Sequence, residues 1–140
     1  MTQAENLRLP LVIHARQAEA AALEVVSGCK TPVLFHCFAG PRQVARQITR
    51  FGFYLSFSAI LLFSSELQKV ATAVPLERIL PETDSPALSP RRDLRRNEPA
   101  FLEIIVSRLA GLREYPQEKM AAITAANARR FYGLDSHASS

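Results

Sequence analysis

The sequence predicts an α/β fold built on parallel strands, and three observations carry that reading. Short apolar runs recur at residues 9–14, 32–38, 53–59 and 78–83, and stretches of helix-forming residues separate them. Apolar runs of this length, bounded by turn signals, read as strands buried on both faces. Three of the runs also lead into a residue type that binds metals: His14, His36 and Asp84.

The first run, 9–14, tolerates Pro10 near its start. Residues 16–26 (RQAEAAALEVV) are rich in helix formers, and Ser27-Gly28 stops them. The second strand spans 32–38. Gly40-Pro41 follows, and Pro41 suits the first turn of a helix running to about residue 50. The aromatic stretch 53–59 (FYLSFSA) is a third strand. Ser64 or Ser65 caps a helix to about residue 73, and 78–83 is the fourth strand. Residues 86–99 (PALSPRRDLRRNEP) read as a proline-rich basic loop. Helices at about 98–112 and 116–131 follow, the second ended by Gly133.

Strands alternating with helices imply right-handed crossovers and a parallel sheet. Four such strands make either a small open doubly wound sheet or half of a (β/α)8 barrel. No glycine-rich phosphate loop follows any strand, which removes the usual rationale for the open sheet. Ligand-type residues at several strand ends fit the barrel, whose chemistry sits at the carboxyl ends of its strands. A whole barrel takes about 250 residues, and the chain has 140.

The bulk properties exclude little. No apolar run reaches the ~18 residues of a membrane helix, and the first residues lack a signal-peptide layout. Cys29 and Cys37 form no framework, so the expected setting is reducing and cytoplasmic, with the nucleus as the alternative. The net charge of +4 mildly favours polyanions.

Two histidines and an aspartate on three strand ends suggest a divalent-metal hydrolase site. His14 and His36 end consecutive strands, which lie about 4.8 Å apart, so their rings can converge on one ion. Asp84 reaches it only if the sheet curls. Strand alternation puts Glu82 and Asp84 on one face and Cys37 opposite His36, which makes Cys37 a poor co-ligand. Glu82 either orients a metal-binding histidine or pairs with an arginine. Arg16 and the cluster Arg91, Arg92, Arg95 and Arg96 are candidate phosphate contacts, since the guanidinium fork suits phosphate oxygens. Phe51, Phe53, Tyr54 and Phe57 are expected in the core, Asn127 as a structural hydrogen-bonding residue, and His137 in solvent.

The segments LPLVIHAR (9–16), FHCFAG (35–40), YLSFSA (54–59), PETDSPAL (81–88), RNEP (96–99) and NARRFYGL (127–134) occur in that order. Together they resemble the TatD-related metal-dependent deoxyribonucleases of the amidohydrolase-like barrel class. The resemblance implies the C-terminal half of a (β/α)8 TIM barrel. Residues 1–134 would hold strands five to eight and the following helices, and 135–140 a disordered tail. It implies divalent-metal-dependent hydrolysis of DNA phosphodiester bonds, with Mg2+, Mn2+ or Zn2+ as cofactor and DNA as substrate. By position, His14 and His36 match the histidine pair that holds one metal. Asp84 matches the aspartate that binds the other and helps activate water. The family's first-strand HxH pair and fourth-strand glutamate have no counterpart here, and Gln17 stands where an acidic residue is common. A truncated enzyme is therefore one expectation. A non-catalytic fragment that self-associates or binds a partner barrel half is another, and a related ester hydrolase a third.

Overall fold

All four apolar runs form strands, each shorter than its sequence pattern. The computed structural model describes residues 3–91 and 93–134. Helix α1 (Gln3–Leu7) precedes β1 (Leu11–His14), followed by α2 (Glu19–Val26) and β2 (Val33–His36). Next come α3 (Arg42–Arg50), β3 (Tyr54–Phe57), α4 (Ile60–Phe63), α5 (Ser65–Ala73) and β4 (Ile79–Pro81). Helices α6 (Leu102–Arg113) and α7 (Gln117–Tyr132) complete the order. Arg92 and the expected tail at 135–140, with His137, lie outside the described residues.

The sheet order is β1-β2-β3-β4, with every pairing parallel. Neighbours in sequence are neighbours in space, with none of the order reversal that creates the crevice of a doubly wound sheet. The strands therefore form half of a (β/α)8 barrel sheet. On the helix-covered face, Val33, Phe35, Leu55, Phe57 and Ile79 pack against Ala45 and Ile48 of α3, Leu67 and Val70 of α5, and Ile105 and Leu109 of α6. The opposite face carries a second cluster of Leu34, Tyr54 and Leu80 around Phe131 of α7. The Tyr54 and Phe131 rings meet edge to face at 5.4 Å. That contact fills the amino-terminal end of the inner face and leaves its carboxyl-terminal end to polar groups. Val12 on the same face of β1 is 49% exposed, because among the described residues β1 has only β2 beside it.

The deviations from the sequence reading have local causes. Helix α2 starts three residues late because Gln17 takes a left-handed backbone (φ 58°), which breaks the first predicted turn. Strand β2 stops at His36 because Cys37 is left-handed (φ 49°). A 310 turn at Pro99–Phe101 leads into α6, as expected for a proline that disfavours helix before it. The short α4 is an addition that the sequence pattern does not predict; the Gln68 amide of α5 donates to its Leu61 carbonyl at 2.9 Å. Phe51 is a correction: it is 51% exposed, whereas Phe53, Tyr54 and Phe57 are buried as expected. Asn127 is structural as expected, its amide donating to the Leu76 and Ile79 carbonyls at 2.9 and 2.8 Å.

The alternative between Ser64 and Ser65 is settled: Ser64 is the cap, its Oγ accepting the Leu67 N–H at 3.2 Å. Ser64→Ala should cost about 1 kcal/mol, read as a lower denaturation midpoint at unchanged m-value. A change below a few tenths would show that water serves that donor equally well. No helix among the described residues is long and apolar enough to cross a membrane.

Candidate active site

Parallel register places His14 directly beside His36 at the carboxyl-terminal edge of the sheet. Their rings lie 5.3 Å apart, centroid to centroid, and are tilted by 38°. From beyond β4, Glu82 reaches back over β3 so that its Oε2 lies 2.9 Å from His36 Nδ1. Ser56 on the intervening strand donates its hydroxyl to the same oxygen at 2.7 Å. Glu82 thus orients a histidine, and among the described residues no ion pair joins it to an arginine. In the neutral tautomer that donates from Nδ1 to this carboxylate, Nε2 keeps its lone pair. Nε2 faces Asp84, whose Oδ1 is 3.9 Å away. The sheet therefore curls enough to bring the β4 end to the β2 end. Glu82 and Asp84 both face His36, but Asp84 does so from a left-handed turn beyond β4 and not by strand alternation, and left-handed Cys37, expected opposite His36, lines the same cleft.

Ser56 also braces the turn after β2, its Oγ accepting the Cys37 N–H at 3.1 Å. The Cys37 thiol lies 3.2 Å from Ser58 Oγ. Burial pushes the Cys37 thiol above its ordinary pKa; the Ser58 hydrogen bond opposes this, and the charges of Glu82 and Asp84 add to it. A raised pKa means less thiolate. Alkylation of Cys37 by iodoacetamide at pH 8, followed by peptide mass spectrometry, should therefore run several-fold slower than alkylation of N-acetylcysteine. Equal rates would show an exposed, unperturbed thiol. The sequence reading does not single out Ser56 and Ser58, although two buried serines alternating through an aromatic strand are a signal.

His14, His36, Cys37 and Asp84 line an open cleft of about 610 Å3 whose wall also includes Arg16 and Leu88. Six non-glycine residues among those described have left-handed backbone, and four of them, Gln17, Cys37, Asp84 and Leu88, line this cleft. Such a conformation costs roughly 1–2 kcal/mol per residue and clusters where surrounding structure holds a functional geometry. One clamp is Asn97, which is 2% exposed. Its side-chain amide donates to the carbonyls of Thr83, Ala87 (2.8 Å) and Leu88 (3.0 Å), and its Oδ1 accepts the Glu98 N–H at 2.9 Å. The Asn97 N–H donates to the Pro86 carbonyl at 3.0 Å. In the sequence Asn97 stands out only as part of RNEP, with no role attached.

The candidate phosphate arginines separate. Arg16 is on the cleft wall. Arg91 forks onto Asp93, with Nε to Oδ1 at 3.2 Å and Nη2 to Oδ2 at 2.6 Å. That hydrogen bonding raises the Arg91 pKa and lowers that of Asp93. Arg96 lines a different hollow with Ser85, Pro86, Asn97 and Glu98. Arg95 is exposed and lines neither. The described part of the loop therefore does not deliver a cluster of arginines to the histidines.

Among the described residues, no three His, Cys, Asp or Glu side chains are close enough together to enclose one metal ion. The donor chemistry nevertheless fits a metal. His36 shows the carboxylate–histidine arrangement typical of metal ligands, with its free nitrogen toward Asp84 and His14 beside it. Among the described residues no hydrogen bond within ordinary geometry reaches the buried Glu82 Oε1. His14, His36 and Asp84 are the candidate ligands, and in this arrangement the three do not by themselves enclose an ion.

Known proteins resemble this chain along most of its length. It is 33% identical over 143 aligned residues to an uncharacterized metal-dependent hydrolase, YabD of Bacillus subtilis, covering 94% of this chain and 54% of that protein. It is 40% identical to the uncharacterized metal-dependent hydrolase TatD of Mycobacterium tuberculosis, over 89% of this chain and 49% of the relative. A protein of Citrobacter rodentium described as the 3′-5′ ssDNA/RNA exonuclease TatD is 34% identical, over 94% of this chain and 54% of its own length. The chain spans about half the length of the curated relatives it matches. Among solved structures, a TatD-family hydrolase of Entamoeba histolytica superposes with a TM-score of 0.83 at 21% identity, covering 91% of this chain and 52% of that one. The TatD homologue YJJV of Escherichia coli gives 0.82 at 23%, covering 93% and 52%. At these identities the structural likeness is one of fold. The TatD-related DNase family model matches residues 1–133, and with the strand-end histidines in register this chain belongs to that family.

Proposed function

We propose that this chain contributes the histidine–aspartate side of a divalent-metal hydrolase site that cleaves phosphodiester bonds in DNA. One observation carries the reading: Glu82 holds His36 through Nδ1, so that Nε2 faces Asp84 beside His14 at the carboxyl-terminal edge of a parallel sheet. That is where barrel enzymes keep their chemistry. A divalent ion bound there supplies Lewis acidity toward the phosphoryl oxygens. The remaining roles belong to the chain. Glu82 and Ser56 fix the His36 ring and its tautomer. Asp84, partly open to the cleft, is placed to accept a proton from the attacking water. Arg16 presents a guanidinium to a non-bridging phosphate oxygen from the cleft wall. The exonuclease description of the Citrobacter relative supports a nucleic-acid substrate.

The lack of a three-donor cluster among the described residues and the open edge of β1 favour a second reading, an associating half-barrel without turnover. Incubating a 5′-labelled single-stranded oligonucleotide with the purified chain and Mg2+, Mn2+, Zn2+ or EDTA separates the two. Metal-dependent cleavage that disappears in His36→Ala supports the hydrolase. A folded chain that cleaves nothing, or cleaves equally in EDTA, overturns it.

A further inference from the structure

Helix α3 carries a repeat that the candidate site does not use. Its sequence RQVARQITR places Arg42, Arg46 and Arg50 four residues apart, with Gln43 and Gln47 beside them. Residues at this spacing line one side of a helix, and all five are exposed. They alone line a shallow hollow of about 550 Å3. The buried side of the same helix is Ala45, Ile48 and Thr49, so packing accounts for none of the arginines.

Other arginines are occupied within the fold. Arg78 lies over the Tyr54 ring, Arg91 pairs with Asp93, and Arg108 donates to Gln68. Arg113 donates to backbone carbonyls and Arg130 to Asn127. Among the described residues, no ion pair joins Arg42, Arg46 or Arg50 to an acidic side chain. Three guanidinium groups thus stand in a row with their donors turned to solvent.

The row has a direction. Gly40 and Pro41, just before α3, line the histidine cleft, so Arg42 stands at the cleft rim. At 1.5 Å per residue the row extends about 12 Å from there to Arg50. Phe51 follows Arg50 as the C-cap of α3, and its half-exposed ring stacks on Phe53 at 5.8 Å. A basic track ending in an exposed aromatic ring is the combination that binds single strands: arginines follow the phosphates, and the ring stacks a base.

We propose that Arg42, Arg46, Arg50 and Phe51 form a docking surface for single-stranded nucleic acid that leads along α3 to the cleft. The proposal rests on the phosphodiesterase reading for its biological sense, and its test does not depend on turnover. Fluorescence anisotropy with a labelled oligothymidylate of about 20 nucleotides, in EDTA and in the His36→Ala background, reads binding alone. Adding Arg42→Gln, Arg46→Gln and Arg50→Gln together should weaken binding about tenfold or more. It should also flatten the salt dependence of log K by about 2, given about 0.7 per phosphate on a single strand. Phe51→Ala in the same background should weaken binding at least about fivefold, with little effect on binding of a polyphosphate. If the triple variant melts like its parent yet binds within twofold of it, the proposal fails. It fails equally if affinity is lost only on replacing Arg91, Arg95 and Arg96.

Discussion

His36→Ala is expected to abolish metal-dependent cleavage, and Glu82→Ala to lower metal affinity about 10–100-fold, as loss of a histidine's outer partner typically does. The reason lies in how His36 is held. Its Nδ1 is satisfied by a carboxylate oxygen that also accepts the Ser56 hydroxyl, and Ser56 in turn accepts the Cys37 amide. Removing Glu82 frees the ring to rotate and lets either nitrogen carry the proton, so fewer molecules present a lone pair at Nε2. Glu82→Gln should fall between wild type and alanine, since its carbonyl oxygen can accept from Nδ1–H without the negative charge. Calorimetric titration of each variant with Zn2+ and Mn2+ checks the order. Unchanged affinity in Glu82→Ala would mean that His36 is not a metal ligand in this chain.

Asn97→Ala is expected to cost about 2–4 kcal/mol, the largest single stability effect among the polar residues of the site. The side chain is buried and serves four backbone groups: the carbonyls of Thr83, Ala87 and Leu88 and the N–H of Glu98. Alanine leaves several of these without partners, and each buried unsatisfied group costs roughly 1–3 kcal/mol; water entering the gap recovers part of that. The left-handed backbone at Asp84 and Leu88 lies within the same clamped loop, so releasing it should also displace the Asp84 carboxylate. Urea denaturation gives the stability change, and metal titration of the same variant should show weaker binding. A loss below about 0.5 kcal/mol would mean that the loop is held by other contacts.

The two effects differ in how far the sequence anticipates them. His36 and Asp84 are visible because a metal-binding side chain at the end of an apolar run is itself a signal. Glu82 is half visible. Period-two alternation places it on the histidine face, but its partner depends on how far the sheet curls. Asn97 is invisible because its role is to bond the backbone of a loop, and backbone acceptors leave no trace in residue identity. The Arg91–Arg96 segment is the opposite case: its composition is visible and its spatial arrangement is not. Its composition suggests phosphate binding, whereas Arg91 is tied to Asp93 and Arg96 lines another hollow. The α3 row escapes notice because RQVARQITR reads simply as an amphipathic helix.

By itself, the sequence determined the order of the four strands and the helices between them except the short α4, the parallel sense of the sheet and which strand-end residues are candidate ligands. Those properties follow from local periodicity and from the length of each apolar run. The half-barrel was expected from the strand-end residues and the family resemblance, whereas only the tertiary structure decided that Glu82 meets His36 across an intervening strand. It also turned Gln17, Cys37, Asp84 and Leu88 into left-handed backbone around one cleft. Each of these arises between residues far apart in the chain, where sheet curvature and buried hydrogen bonds outweigh local preference.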